Sequence, residues 1–357
     1  MATTFDNQRL YDISLESSLL LESVKLYEFN ARLKAFRKLK RDLGNVLYKI
    51  EYDDLSFMTK KQLNVLIKNV KQISDGFYEV VSKEVLEMLE DFTKKAVAKE
   101  KRLWVTVAES VAQDEDVPEV TEEQADAHLE EEGRDGVFPL ALLLAGGALW
   151  ERIRKLPLSG LGQPIDEVLT KYHALSNNRL EDLLERAWAS GYSREELVAQ
   201  ILGDEGVKQG KKGAIGTMRA QLNAIIDTSM AFALTQVQSG VTSSMSSVGR
   251  KYRWVSVMDA VTTTICRGRN GKIYETGKGP LPPAHVSCRS SIAPLVRGNV
   301  DNDVEDSSLA SWLESRSSEK RAYIKEYGTI MEKGGGDWST YKATKPITPN
   351  DFFNRTL

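Results

Sequence analysis

Cys266 and Cys288 are the only cysteines among 357 residues, and His285 stands three positions before the second. Thiolate and imidazole are ligand types that zinc favours, so His-x-x-Cys with a distant cysteine offers three donors. Asp259 lies upstream as a fourth, harder donor. Four such groups would staple a strand to the proline-rich loop that carries His285 and Cys288. The same residues also make sense without an ion, as a hydrogen-bonded histidine beside two buried thiols, with Asp259 capping the turn after its strand. A cysteine nucleophile served by a histidine base is a third use, but nearness in sequence does not set hydrogen-bond geometry. Zinc aside, no cofactor is expected. Two cysteines in so long a chain fit a reducing cytosol and give no disulfide scaffold.

Charge marks a second set of residues. The chain carries a formal net charge of -3, yet residues 208–297 hold 13 Lys and Arg against 3 Asp and Glu. Lys211, Lys212, Arg250, Lys251, Arg253, Arg267, Arg269 and Arg289 are the candidates there for contact with DNA phosphates or with an acidic partner surface. A solvated, idle basic face accounts for the charge equally well. Arg32, Lys34, Arg37, Lys38, Lys40 and Arg41 form another cluster, which reads as the polar face of a helix more readily than as a nucleic-acid patch.

These residues need elements to hold them. Leu26, Phe29, Leu33, Phe36, Leu43, Leu47 and Ile50 step by threes and fours, which predicts a long amphipathic helix. A capping box at Thr59 and Gln62 opens a second helix through Leu63, Leu66, Val70, Ile73 and Phe77, so residues 1–110 read as a helical hairpin and a candidate partner-binding arm. Residues 111–136 are acidic, contain Pro118 and read as a linker. Val137 to Trp150 is an apolar run too short to span a bilayer, with a buried helix or a subunit contact as the default. It begins a helical lead-in over 137–207, in which Ser193 and Glu196 cap a helix that Gly203 closes. In the last unit, 208–357, a largely apolar helix from Thr217 to Gly240 precedes two β-rich stretches, YRWVSVMD and GKIYE, joined by a turn signal at Asn270 and Gly271. The fold class expected is α+β, predominantly helical, with a small β-containing module near the C-terminus.

That module supports a resemblance. Trp254, Asp259, Cys266, the Asn270-Gly271-Lys272 turn, Pro282-Pro283, His285 and Cys288-Arg289 follow the helix MRAQLNAIIDTSMAFALTQVQSG. Trp312-Leu313, Gly328, Gly334 and KPITPNDFF come after. In this order they resemble the phage head morphogenesis family, the Mu F-like minor head proteins, over roughly residues 210–355. Val261, Val286 and Ser290 stand where that family commonly has Arg, Pro and Cys.

The resemblance implies a structural minor capsid protein of a tailed phage, made in the host cytoplasm and placed in the head interior near the portal. Its expected partners are the portal protein, other capsid or scaffolding proteins, packaged DNA and further copies of itself. It would act in head morphogenesis, DNA packaging or genome delivery, without catalysis. A DNA-binding internal or ejection protein of the virion is the alternative, followed by a nuclease- or toxin-like enzyme. For the last, residues 1–110 offer no glycine loop, paired histidines or metal-ligand spacing. No export signal is expected at the polar start MATTFDNQRL, and no membrane span anywhere.

Overall fold

The computed structural model describes residues 7–112, 146–203, 213–244, 251–295, 308–332 and 339–355. Among them the chain is α+β and predominantly helical, with a long N-terminal hairpin and a few short antiparallel strands toward the C-terminus. Helices α1 (Asn7–Leu47) and α2 (Lys60–Ala112) form the hairpin, with a 3₁₀ turn at Leu55–Phe57 between them. The capping box before α2 is present: the Thr59 amide donates to Gln62 Oε1 at 2.9 Å and the Gln62 amide to Thr59 Oγ1 at 3.3 Å. Helices α3 (Gly146–Lys155), α4 (Ile165–Ala189), α5 (Arg194–Leu202) and α6 (Gly213–Ser244) follow. The Ser193 and Glu196 box opens α5, and Gly203 at φ 80° closes it.

Most of the acidic stretch 111–136, most of the apolar run 137–150, and Gly334 fall outside the described residues. The last two residues of that run, Leu149 and Trp150, are buried in α3. No helix among the described residues is long and apolar enough to cross a membrane.

The chain divides into two compact units that are not the consecutive segments expected. The first comprises residues 1–27, 89–163 and 227–357, and the second residues 28–88 and 164–226. The divisions at 27, 88 and 226 fall inside α1, α2 and α6. In the second unit aromatic rings knit the helices: Phe36 of α1 meets Phe77 of α2 at 4.9 Å, and Tyr78 of α2 meets Tyr172 of α4 at 5.1 Å. Tyr172 donates its hydroxyl to the Met218 carbonyl of α6 at 2.7 Å.

The first unit holds both sheets. Strands β1 (Lys251–Ser256), β2 (Ile273–Glu275) and β3 (Ser290–Pro294) make an antiparallel sheet of order β2-β1-β3. Helix α7 (Thr264–Arg269) interrupts the connection from β1 to β2, and Gly271 takes the left-handed backbone (φ 76°) that the Asn-Gly turn requires. Helices α8 (Leu309–Glu314) and α9 (Ser318–Tyr327), the hairpin of β4 (Gly328–Glu332) with β5 (Ser339–Ala343), and α10 (Pro349–Arg355) complete it.

Side chains alternate across β1, so its two faces serve two cores. Val255 and, just past the strand, Val257 pack with Tyr11, Leu15 and Leu19 of α1, Trp312 and Leu313 of α8, and Tyr341 of β5. Trp254 faces the other way, onto Cys266 and Cys288. The start of α1 thus belongs to the C-terminal module. Ser14 donates to the Ile292 carbonyl at 3.1 Å, and Ser18 to Ser291 Oγ at 2.8 Å, which ties α1 to β3. Leu19, Leu20, Ser23 and Val24 are all at 0% exposure. A helix buried nearly all round shows no amphipathic stripe, which is why the periodicity became readable only at Leu26, whereas the helix begins at Asn7.

Candidate functional site

Helix α7 and the loop before β3 carry the cysteines and the histidine. Thr263 caps α7 by accepting from the Cys266 amide, which points the Cys266 side chain inward against Trp254. Across from it, the loop from Gly279 to Arg289 brings in His285 and Cys288. Cys266 Sγ lies 3.5 Å from Cys288 Sγ and 3.2 Å from His285 Nε2, and the three ligand atoms fall within 4.8 Å of one another. Donors around a tetrahedral zinc ion stand about 3.8 Å apart for two sulfurs and about 3.6 Å for sulfur and nitrogen, given bonds of ~2.3 and ~2.05 Å. The set is therefore a Cys-His-Cys arrangement of the size and donor type that hold a metal.

Two details prepare it for that use. His285 Nδ1 lies 2.9 Å from the Val286 carbonyl. A carbonyl only accepts, so Nδ1 carries the proton and, in the neutral ring, Nε2 turns its lone pair toward Cys266 and Thr263 Oγ1, 2.9 Å away. The hydrogen bond from Cys266, against the opposing effect of burial, holds the Cys288 thiol below its ordinary range, and backbone bonds from Ala284 and Ser290 add to this. The same bond, followed by burial, pushes the Cys266 thiol up. A thiolate at Cys288 is the form that ligates.

Exposure decides what else this trio can do. A nucleophilic sulfur must meet substrate, and Cys266 is 2% and Cys288 0% exposed. The geometry serves a clasp better than a dyad.

Asp259 does not join the three donors, which corrects its expected place as fourth ligand. It is fully buried and takes Arg289 in a fork, at 2.6 Å to one oxygen and 2.8 Å to the other. It also accepts from the Val261 amide at 3.1 Å and from Thr262 Oγ1 at 3.0 Å, so it does cap the turn after its strand. The Tyr341 amide of β5 reaches it at 3.3 Å. A carboxylate already satisfied by five donors has no reason to turn to a metal.

The basic candidates scatter. Lys211, Lys212 and Arg250 lie outside the described residues. Lys251 is exposed at the start of β1. Arg253 is 4% exposed in the central strand, so it is not placed as an outward contact. Arg267 donates to the carbonyls of Asp259 (3.1 Å) and Thr262 (3.5 Å), Arg269 lies 5.0 Å from the centre of the Trp254 ring, and Arg289 is spent on Asp259. Most of these described cations are used by the module itself.

Sequence reasoning missed several supports. Ser256 Oγ links the indole of Trp254 (2.9 Å), the Cys266 carbonyl (3.0 Å) and Ser290 Oγ (2.9 Å), while its amide donates to Asn270 Oδ1 at 2.8 Å. Gly160, in the loop after α3, has φ +86°, and a Cβ there would lie 2.9 Å from the His285 carbonyl carbon. Neither has a motif to announce it, although a strand serine between Trp254 and a cysteine-bearing turn is a readable hint of a buried polar link. The chain matches no family model, no curated protein and no solved structure.

Proposed function

We propose that the chain is a structural minor head protein of a tailed phage, associated with the portal and acting in head morphogenesis, DNA packaging or genome delivery. One observation carries this. The residues whose order resembles the Mu F-like family, Trp254, Asp259, Cys266, Asn270, His285, Cys288 and Arg289, hold one another inside a small module, directly or through Ser256 and Arg267. Residues spent on one another specify an architecture, whereas a reaction site would leave some of them facing a cleft. That favours a structural role over the enzyme alternatives.

Within this role Cys266, His285 and Cys288 would hold a zinc ion that fastens α7 to the loop before β3. Such an ion supplies folding energy and no reaction. Metal analysis of the purified protein tests it: about one zinc per chain is expected in the parent, and little in Cys288→Ser and His285→Ala. A parent without metal removes the ion and leaves the hydrogen-bonded trio. Partnership is tested by co-expression with the portal protein of the same phage. Co-elution on size-exclusion chromatography is expected, and independent elution contradicts the assignment.

A further inference from the structure

From Arg32 to its end at Leu47, helix α1 carries six basic residues against one acid, Asp42. Arg32 is used internally, 2.8 Å from Glu28. Lys34, Arg37, Lys38 and Arg41 are exposed. Arg41 pairs with Asp42 at 3.3 Å, but 68% of its side chain remains in solvent, and a pair so exposed is worth little. Charge of one sign gathered on one helix face costs self-repulsion, which an opposite charge would relieve.

Beside this face, within the second unit, a groove of about 620 Å³ opens between α1 and α5. Arg37, Arg41 and Tyr48 line one side, with Tyr48 63% exposed as the main apolar surface, and the largely buried Val198 and Leu202 present their edges on the other. Gly44 forms part of the floor, where an added Cβ would already lie 3.5 Å from Leu202 Cδ1 and from the Tyr48 ring. The stretch from Arg37 to Tyr48 is about 17 Å long at ~1.5 Å per residue, the length of three helical turns.

We propose that this groove docks an acidic amphipathic helix of a partner protein, its apolar side chains against the Tyr48 ring and the edges of Val198 and Leu202, and its carboxylates against Arg37 and Arg41. A helix laid in a groove is recognised through apolar anchors at helical spacing, and the basic rim fixes the sign of its outer positions. A nucleic-acid backbone fits less well, because it has nothing to place on the apolar wall, whereas a helix can turn its apolar face to the α5 side, where Glu195 stands, and its acids to α1. This inference is independent of the metal centre and of the virion assignment.

The test uses the full chain and a fluorescently labelled synthetic peptide about three turns long, with leucine at helical spacing and glutamate between. Saturable, salt-sensitive binding by fluorescence anisotropy is expected. Arg37→Glu and Arg41→Glu should each weaken it about tenfold, and Ala199→Trp, which fills the groove, should weaken it at least as much. Lys83→Glu changes the same charge on an exposed residue of α2 and should leave binding unchanged. A peptide with lysine for glutamate should not bind. Four outcomes overturn the proposal: no saturable binding, equal loss with Lys83→Glu, indifference to Ala199→Trp in a protein whose circular dichroism is unaltered, or a DNA duplex that binds more tightly than the peptide.

Discussion

Removing the Asp259 carboxylate is expected to destabilise the first unit by about 3–5 kcal/mol, the cost of leaving a buried partner charge uncompensated. Arg289 is 14% exposed at its side chain and donates from both terminal nitrogens to Asp259, at 2.8 and 2.6 Å. Asp259→Ala would leave that guanidinium without its anion. It would also leave the Tyr341 amide of β5 and the Val261 amide of the turn without that acceptor. Arg289→Met alone strands the carboxylate and should cost a similar amount. The double variant strands neither charge, so it should cost less than the sum of the two by about 1–3 kcal/mol. Urea unfolding of the parent, the two single variants and the double variant gives the cycle directly. A single Asp259→Ala cost below about 1 kcal/mol, or additivity within about 0.5 kcal/mol, refutes the view that this pair holds the module.

Gly160→Ala should destabilise by about 1–3 kcal/mol, because φ +86° and a 2.9 Å approach to His285 leave no room for a Cβ. If the loop supports the metal, zinc should also dissociate faster, which a chelator competition reads. Asp227 gives a pH dependence: burial, opposed by Lys25 and reinforced by Glu22, raises its pKa to about 6 from an ordinary 3.8. A carboxyl raised in the folded state binds protons more tightly there, so its contribution is complete below pH ~4 and is lost as pH rises through ~6. Asp227→Asn should therefore gain up to about 3 kcal/mol on the parent between those limits and nothing further above them, by unfolding curves at several pH values. A difference that does not change with pH contradicts the shift. Ser193→Ala should cost about 1 kcal/mol by thermal unfolding, through loss of the α5 cap.

What the sequence made legible was local. Both capping boxes, the helix-closing glycine and the strand over YRWVSV follow from spacings of a few residues, and each is present. The types and spacing of Cys266, His285 and Cys288 likewise announced a cluster. Long-range choices were not readable. Asp259 and Arg289 stand 30 residues apart, and either could have turned to other partners; only the fold pairs them. The start of α1 reaches β3 across 278 residues, and its near-uniform burial erased the stripe that would have marked it. Three of the four unit divisions fall within continuous helices, where no loop marks them. Arg253 looked like part of a basic surface because a charge count ignores that both faces of its strand are covered.

The central claim is that this chain is part of a phage head. Particles made from the genome that encodes it should be purified, emptied of DNA and probed with antibody to the chain, alongside immunogold labelling of intact and opened heads. A few copies per particle, retained with the portal vertex and reached by antibody only after the head is opened, is the predicted result. Absence from purified heads, with the chain found only in the soluble lysate, would contradict it.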